Sequence, residues 1–270
     1  MSFAASLVER TPDNIRFYFP RTDRELWANE KDLRCSSAYF EALFSSSFVE
    51  ATSTSKERCN SVGGTNLPAP SGDDSDDETD EIDIEVSKTP SSSASIAETS
   101  GAPFKTITIS ETAYSTYFTA LLWTGTGNVR FALLRSSFEF SPNAATPVIN
   151  ARRDWLTIAN DQYTHALPLP CSPKSLYRLA HLLELDGLAQ LALENFSTQL
   201  SIDTVAHELF TDIASTYPAL RDVAVACAVR NWKEVAKSRA LKKVKERADS
   251  GELDCGLLLA IELKKEHGPK

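Results

Sequence analysis

Histidines, cysteines and clustered carboxylates are the residues of this chain from which a reaction or a metal site would be built. None of the four histidines (165, 181, 207 and 267) stands at a ligand spacing from a cysteine or an acid, as a local zinc motif requires. The five cysteines (35, 59, 171, 227 and 255) are odd in number, widely spaced and never in a CxxC pair. That layout serves neither a disulfide framework nor a zinc site, and reduced, mostly buried thiols of a cytosolic or nuclear protein are expected. Asp73 to Glu85 is dense in carboxylates but lacks the glycine at the sixth position of a calcium-binding loop. Gly125 to Arg130, GTGNVR, begins like a dinucleotide loop, yet Arg130 stands where the third glycine should be. With no P-loop and no GxSxG, the residues predict no enzyme, no metal and no cofactor.

The acidic tract has its own candidate. Glu81-Ile82-Asp83-Ile84-Glu85-Val86 alternates acidic and apolar residues. Such an island can add as a strand to a partner's edge, as ligands of small ubiquitin-like modifiers do, or it is a solvated alternation with no role. The second reading is preferred. Ser75 precedes Asp76-Asp77-Glu78, a context acidophilic kinases accept, but phosphate there would only deepen an existing negative charge.

The elements that must position such residues follow from composition and periodicity. With 42% hydrophobic residues over 270 positions, the chain has enough apolar surface for a proper core. No apolar run approaches the ~20 residues needed to cross a bilayer. MSFAASLVER has neither a basic start nor a long apolar core, so it does not resemble a signal peptide, and an intracellular, cytoplasmic or nuclear protein is expected. Thr52 to Pro103 holds 11 of the 37 acids and 3 of the 28 bases, leaving 26 acids against 25 bases elsewhere. A near-neutral body with one acidic segment has no electrostatic footprint for nucleic acid. The same segment is rich in Ser, Thr, Gly, Pro, Asp and Glu and poor in large apolar residues, which predicts disorder.

Ile15 to Phe19 reads as a strand, Pro20 to Asp23 as a turn and Glu25-Leu26-Trp27 as a second strand. Leu33, Tyr39, Phe40, Leu43 and Phe44 then recur at helical spacing, with Asp32 or Ser36 placed to cap. Ser45-Ser46-Ser47 ends the pattern, yet Phe48 and Val49 follow in what should be a solvated turn. Either they fold back onto the domain or they wait for a partner. Phe104 to Ile109 predicts a strand, and Ser110 with Glu111 opens a helix through Leu122 that stops at Thr124-Gly125. Asn128 to Leu134 is read as another short strand, and a short helix is placed around Trp155. From Ser172 onward the pattern is helical, with starts at Ser172-Pro173, Asp186, Ser201 to Asp203 and Pro218. In the basic run Arg239 to Arg247, Leu241 and Val244 predict an amphipathic helix with its lysines in water, followed by a last segment at Leu257 to Lys265.

The order of these elements and their signature residues resemble the BTB (POZ) domain family. In LWANEKDLRCSSAYFEALFSSSFVEA, residues Ala28, Leu33, Ser37, Tyr39, Phe40, Phe44, Phe48 and Glu50 occupy the family's signature positions. ITISETAYSTYFTALLWTGTGNV is similar to the family's third strand and the helix ending in aromatic-Thr-Gly, here Trp123-Thr124-Gly125. SLYRLAHLLELDGLAQLALENFSTQLS is similar to the two closing helices. The resemblance covers 12–137 and 172–200, and its style resembles the single-BTB proteins of fungi. It departs at Asn14, where the family often has Asp, and at Asn29-Glu30, where it often has His-Lys. Those charged positions line a pocket at the dimer interface of many BTB transcription factors, so the departures put corepressor recruitment through that pocket in doubt.

The resemblance implies an α+β fold, a small β-sheet flanked by helices, over 1–200, with a disordered acidic insertion at 52–103 and a variable insertion at 138–168. An all-helical extension at 201–270 follows. It implies a non-enzymatic protein–protein interaction module that forms a homodimer, drawing on Phe3, Leu7, Leu33 and Tyr39. Phe48 and Glu50 match the hydrophobic-x-Glu triplet with which some BTB proteins hold a cullin scaffold, so the chain is a candidate substrate adaptor of a ubiquitin ligase, its substrate unknown. A BTB-type transcriptional regulator acting through a DNA-binding partner, or a purely structural self-associating protein, are the alternatives. Neither nucleic acid nor membrane is expected as a direct partner.

Overall fold

The computed structural model describes residues 3–8, 14–45, 79–82, 105–140, 148–161 and 167–253. The chain forms two compact units, one from Met1–Ala132 with Arg153–Ala192, the other from Leu133–Arg152 with Leu193–Lys270. It is mixed α and β and mostly helical, with one three-stranded sheet among the described residues.

In the first unit, a short helix α1 (Phe3–Ser6) precedes strands β1 (Asn14–Phe19) and β2 (Arg24–Asn29). Alternation decides which face of β1 is buried: Ile15, Phe17 and Phe19 are in the core, while Arg16 and Tyr18 are half-exposed. Each such phenylalanine contributes roughly 1.5–3 kcal/mol by leaving water. β2 pairs antiparallel with β1, Phe17 opposite Leu26, and Arg16 forms an ion pair with Glu25 on the outer face. Trp27 N–H donates to Leu7 O at 2.7 Å, so the N-terminal turn covers the free edge of β2.

The single helix expected after β2 is two helices, α2 (Glu30–Ser36) and α3 (Ala38–Ser45). The cap of α2 is neither Asp32 nor Ser36 but Asn29, whose side chain accepts from Lys31 N–H at 2.9 Å. Ser37 breaks the run. Its backbone is extended, and its hydroxyl donates to Leu183 O and accepts from Phe40 N–H at 3.4 Å. Phe40 thereby reaches the core, with its ring 6.3 Å from that of Phe17.

β3 (Thr106–Thr108), shorter than the expected 104–109, pairs parallel with β1 and gives the order β2-β1-β3. A parallel pair cannot be joined by a hairpin, so the long connection between β1 and β3 is a topological need. Helix α4 (Tyr114–Thr126) then lays Tyr114 and Tyr117 on Phe17 and Phe19, with ring centroids 5.1–5.7 Å apart. It starts four residues after Ser110, with Ala113 at its N-cap, and runs past Gly125 to stop at Gly127, whose φ of 70° is the left-handed stop. Gly125 has a different job. A Cβ there would lie 2.1–2.6 Å from the ring of Phe3, so glycine lets α1 pack on α4.

The expected strand at 128–134 is, among the described residues, an isolated parallel bridge between Phe131 and Cys171. The short helix around Trp155 belongs to a longer one, α6 (Val148–Asp161), which follows α5 (Arg135–Glu139). Arg130, the residue that spoils the dinucleotide pattern, donates to Ala159 O at 2.9 Å in the last turn of α6, a favourable place for a cation. α7 (Pro173–Leu182) starts with Pro173 at its first turn and Ser172 as cap, and α8 (Asp186–Gln199) follows.

The second unit holds α9 (Val205–Leu209), α10 (Asp212–Thr216), α11 (Pro218–Arg230), α12 (Trp232–Val235) and α13 (Arg239–Asp249). Val205, Leu209, Leu220, Trp232, Val235, Leu241 and Val244 form its core. α13 is amphipathic in the expected sense, with Leu241 and Val244 inside and Lys242 and Lys245 in water. The contacts do not divide the chain at residue 200. Ser136 donates to the buried carboxylate of Glu208, Glu139 pairs with Lys243, and Leu134 N–H donates to Gln199 Oε1 at 2.8 Å. Leu133–Arg152 thus belongs with the helical unit.

Candidate interaction surfaces

The candidate cullin-contacting residues Phe48 and Glu50 lie outside the described residues; α3, the helix that would present them, ends at Ser45. The four candidate dimer residues do not behave alike. Leu7 and Leu33 are only 3% and 2% exposed within the single chain, so their apolar surface is already used. Phe3 is 37% exposed despite its seat on Gly125, and Tyr39 is half-buried. Burial raises the Tyr39 phenol above its ordinary range, and burial raises that of Tyr117 well above it, with Tyr39 adding to the effect. Phe3, Leu7, Trp27, Asp32 and Leu33 line a mostly apolar groove of about 200 Å³. The part of this surface open to a second molecule is centred on Phe3 and the neighbouring Val8, which is 50% exposed.

Asn29 and Glu30 have local structural roles. Asn29 caps α2, and Glu30 sits between two cations, with Arg34 at 2.8 Å and Lys105 at 2.7 Å. Burial pushes the Glu30 carboxyl up, but hydrogen bonds from Lys105 and Arg34 outweigh it and hold the group below its ordinary value. Arg34 continues the network to Ser45 Oγ at 2.8 Å and Glu41 at 3.3 Å, tying α2 and α3 to Lys105, the residue before β3. The Asn29-Glu30 step is thus a helix cap followed by a salt-bridge hub.

The residues singled out for chemistry are dispersed. His181 lies parallel to the Tyr177 ring, and His207 packs against Phe140 at 5.3 Å. His165 and His267 fall outside the described residues, as do Cys59 and Cys255. Cys171 is buried and Cys227 half-buried, but Cys35 is exposed, against the expectation for buried thiols, because it lies on the outer face of α2. Among the described residues no group of three or more His, Cys, Asp or Glu is placed to hold a metal, and no helix is long and apolar enough to cross a membrane.

One contact was not foreseen. Residues 79–82, inside the stretch expected to be disordered, form a helical turn in which Thr79, Asp80 and Ile82 are buried. Asp80 Oδ1 accepts from Tyr114 N–H at 3.0 Å, and Thr79 Oγ1 lies 2.6 Å from Ser115 Oγ. Ile82 joins Ala132, Leu156 and Leu169, with Trp155 against them. Glu81 and Ile82 are therefore helical, not the start of a strand, and Ile82 faces a core and not solvent. Asp80 takes the position of the side-chain cap that Ala113 cannot supply. The only signal in the sequence is the pairing of Thr-Asp, good capping residues, with an apolar residue two positions on.

Comparison with known protein families and with curated proteins finds no match to this chain.

Proposed function

We propose that this chain is a protein–protein interaction module of the BTB type, self-associating and a candidate adaptor between a cullin scaffold and a substrate protein. The observation that supports this reading is the order of elements carrying the signature residues. Two antiparallel strands lead into the α2–α3 pair bearing Leu33, Ser37, Tyr39, Phe40 and Phe44, then a third strand and the helix that holds Trp123-Thr124-Gly125. In this arrangement Ser37 and Phe40 do the work of the signature: one breaks the helix, the other fills the core under the sheet.

Self-association would draw on the exposed ring of Phe3 with Val8 and Tyr39, while Leu7 and Leu33 act as the support beneath. Sedimentation equilibrium at micromolar concentration tests this. The expected result is a species of twice the 29.7 kDa chain mass, shifted toward monomer by Phe3→Asp. A single 29.7 kDa species at all concentrations would count against self-association.

A further inference from the structure

The seat of residues 79–82 is assembled from side chains and backbone that belong to other parts of the first unit. It offers the amino-terminal end of a 13-residue helix, the Ser115 hydroxyl beside it, and an apolar cup of Ala132, Leu156, Leu169 and Trp155. Arg21 lines the same small cleft as Asp80, and the Arg24 guanidinium lies 3.8 Å from the centroid of the Tyr114 ring, adding positive charge near the helix end. Among the described residues, the side chains that fill this seat come from one four-residue stretch: a hydroxyl, a carboxylate and, two residues on, an aliphatic side chain.

We propose that this is a peptide-recognition site, occupied by the protein's own acidic insertion, and that it takes a segment of the same chemistry from a partner protein. Three features support this. Recognition runs through side chains of a short linear segment, so a partner needs only the sequence Thr/Ser-Asp-x-Ile/Leu/Val and a backbone free to turn. The helix end and nearby arginines favour an acidic ligand, and Thr79–Ile82 contains Asp80 and Glu81 and is flanked by Glu78 and Asp83. The contact set is small, while a tether to the same chain raises the local concentration of the occupant to the millimolar range. Occupancy by the chain itself is then secured by tethering, and a partner that carries a second contact elsewhere displaces it. The acidic insertion is thus an intramolecular competitor, which suits a protein whose role is to hold others.

Two measurements on the full chain test this. Hydrogen exchange of the wild type comes first, because the Tyr114 amide donates to Asp80 and reports the docked state directly. It should exchange at least 100-fold faster than the Ala120 and Leu121 amides of the same helix, and faster still in excess peptide. Exchange of Tyr114 at the rate of Ala120 and Leu121 would mean that the segment is an inseparable part of the core, and the proposal would fall. The second uses a fluorescent peptide spanning Asp76 to Val86 against the wild type and the D80A/I82A double variant. The variant, its own segment disabled, should bind at least ten-fold more tightly than the wild type, and bound peptide should raise its melting temperature toward the wild-type value. Equal affinity for both proteins, or no binding to the folded variant at millimolar peptide, would overturn the proposal.

Discussion

Truncating Ile82 asks whether the acidic insertion is part of the fold. The side chain is 5% exposed and packs with Ala132, Leu156, Leu169 and Trp155. Buried Ile→Ala changes typically cost about 2–5 kcal/mol, made up of lost transfer energy and the cavity left behind. This cluster is small, so Ile82→Ala is expected at the low end, about 2 kcal/mol. Asp80→Ala removes a helix cap and should cost about 1 kcal/mol, because Tyr114 N–H loses its acceptor. Asp80→Asn keeps an acceptor and should cost less than Asp80→Ala. For a chain of this size each kcal/mol lowers the melting temperature by about 2–4 °C, so calorimetry should show losses near 4–8 °C for Ile82→Ala and 2–4 °C for Asp80→Ala. If both variants melt with the wild type, residues 79–82 lie in water and the reasoning fails.

Other expectations concern the sites around the sheet. Glu30 has its carboxyl pKa lowered, despite burial, by Lys105 and Arg34, so its ionised form stabilises the fold above the ordinary carboxylate range, and that stability is lost as pH falls through the depressed value. The gap in urea midpoint between wild type and Glu30→Gln should therefore be present at pH 7 and shrink steadily below about pH 4.5; a gap that widens in acid would contradict the assignment. Leu33→Ala should cost about 2–5 kcal/mol at every protein concentration, because Leu33 is buried within one chain. A loss seen only at concentrations where the protein dimerises would move Leu33 to the interface.

What the sequence revealed, and what it hid, divides along local and long-range physics. β1 was legible because Ile15, Phe17 and Phe19 alternate with polar positions, and α7 and α8 because Ser172-Pro173 and Asp186 carry their own start signals. The start of α4 was misplaced because its acceptor, Asp80, comes from 34 residues upstream and Ala113 carries no capping signal. Gly125 was read as a stop because a glycine near a helix end usually is one; that it makes room for Phe3 depends on a contact over more than a hundred residues. The strand expected at 128–134 had suitable residues, but among the described residues it pairs at a single bridge, Phe131 with Cys171, and not in a ladder. Ser136 gave no hint of its bond to Glu208, since buried polar pairs have no sequence period. For the candidate site, the apolar positions Leu33 and Phe40 were legible from their spacing, whereas the break at Ser37, the cap at Asn29 and the burial of Leu33 beside an exposed Phe3 depend on the packing.

The adaptor reading rests on Phe48 and Glu50, and binding of the purified chain to the N-terminal helical domain of a cullin, measured by calorimetry for wild type and Phe48→Ala, tests it most directly. A partner-facing aromatic anchor is typically worth about 2 kcal/mol or more. Wild type should bind and Phe48→Ala should bind at least about thirty-fold more weakly while melting at the wild-type temperature. A folded Phe48→Ala protein that binds as well as wild type, or a wild type that does not bind at all, would contradict the adaptor role and leave a self-associating scaffold.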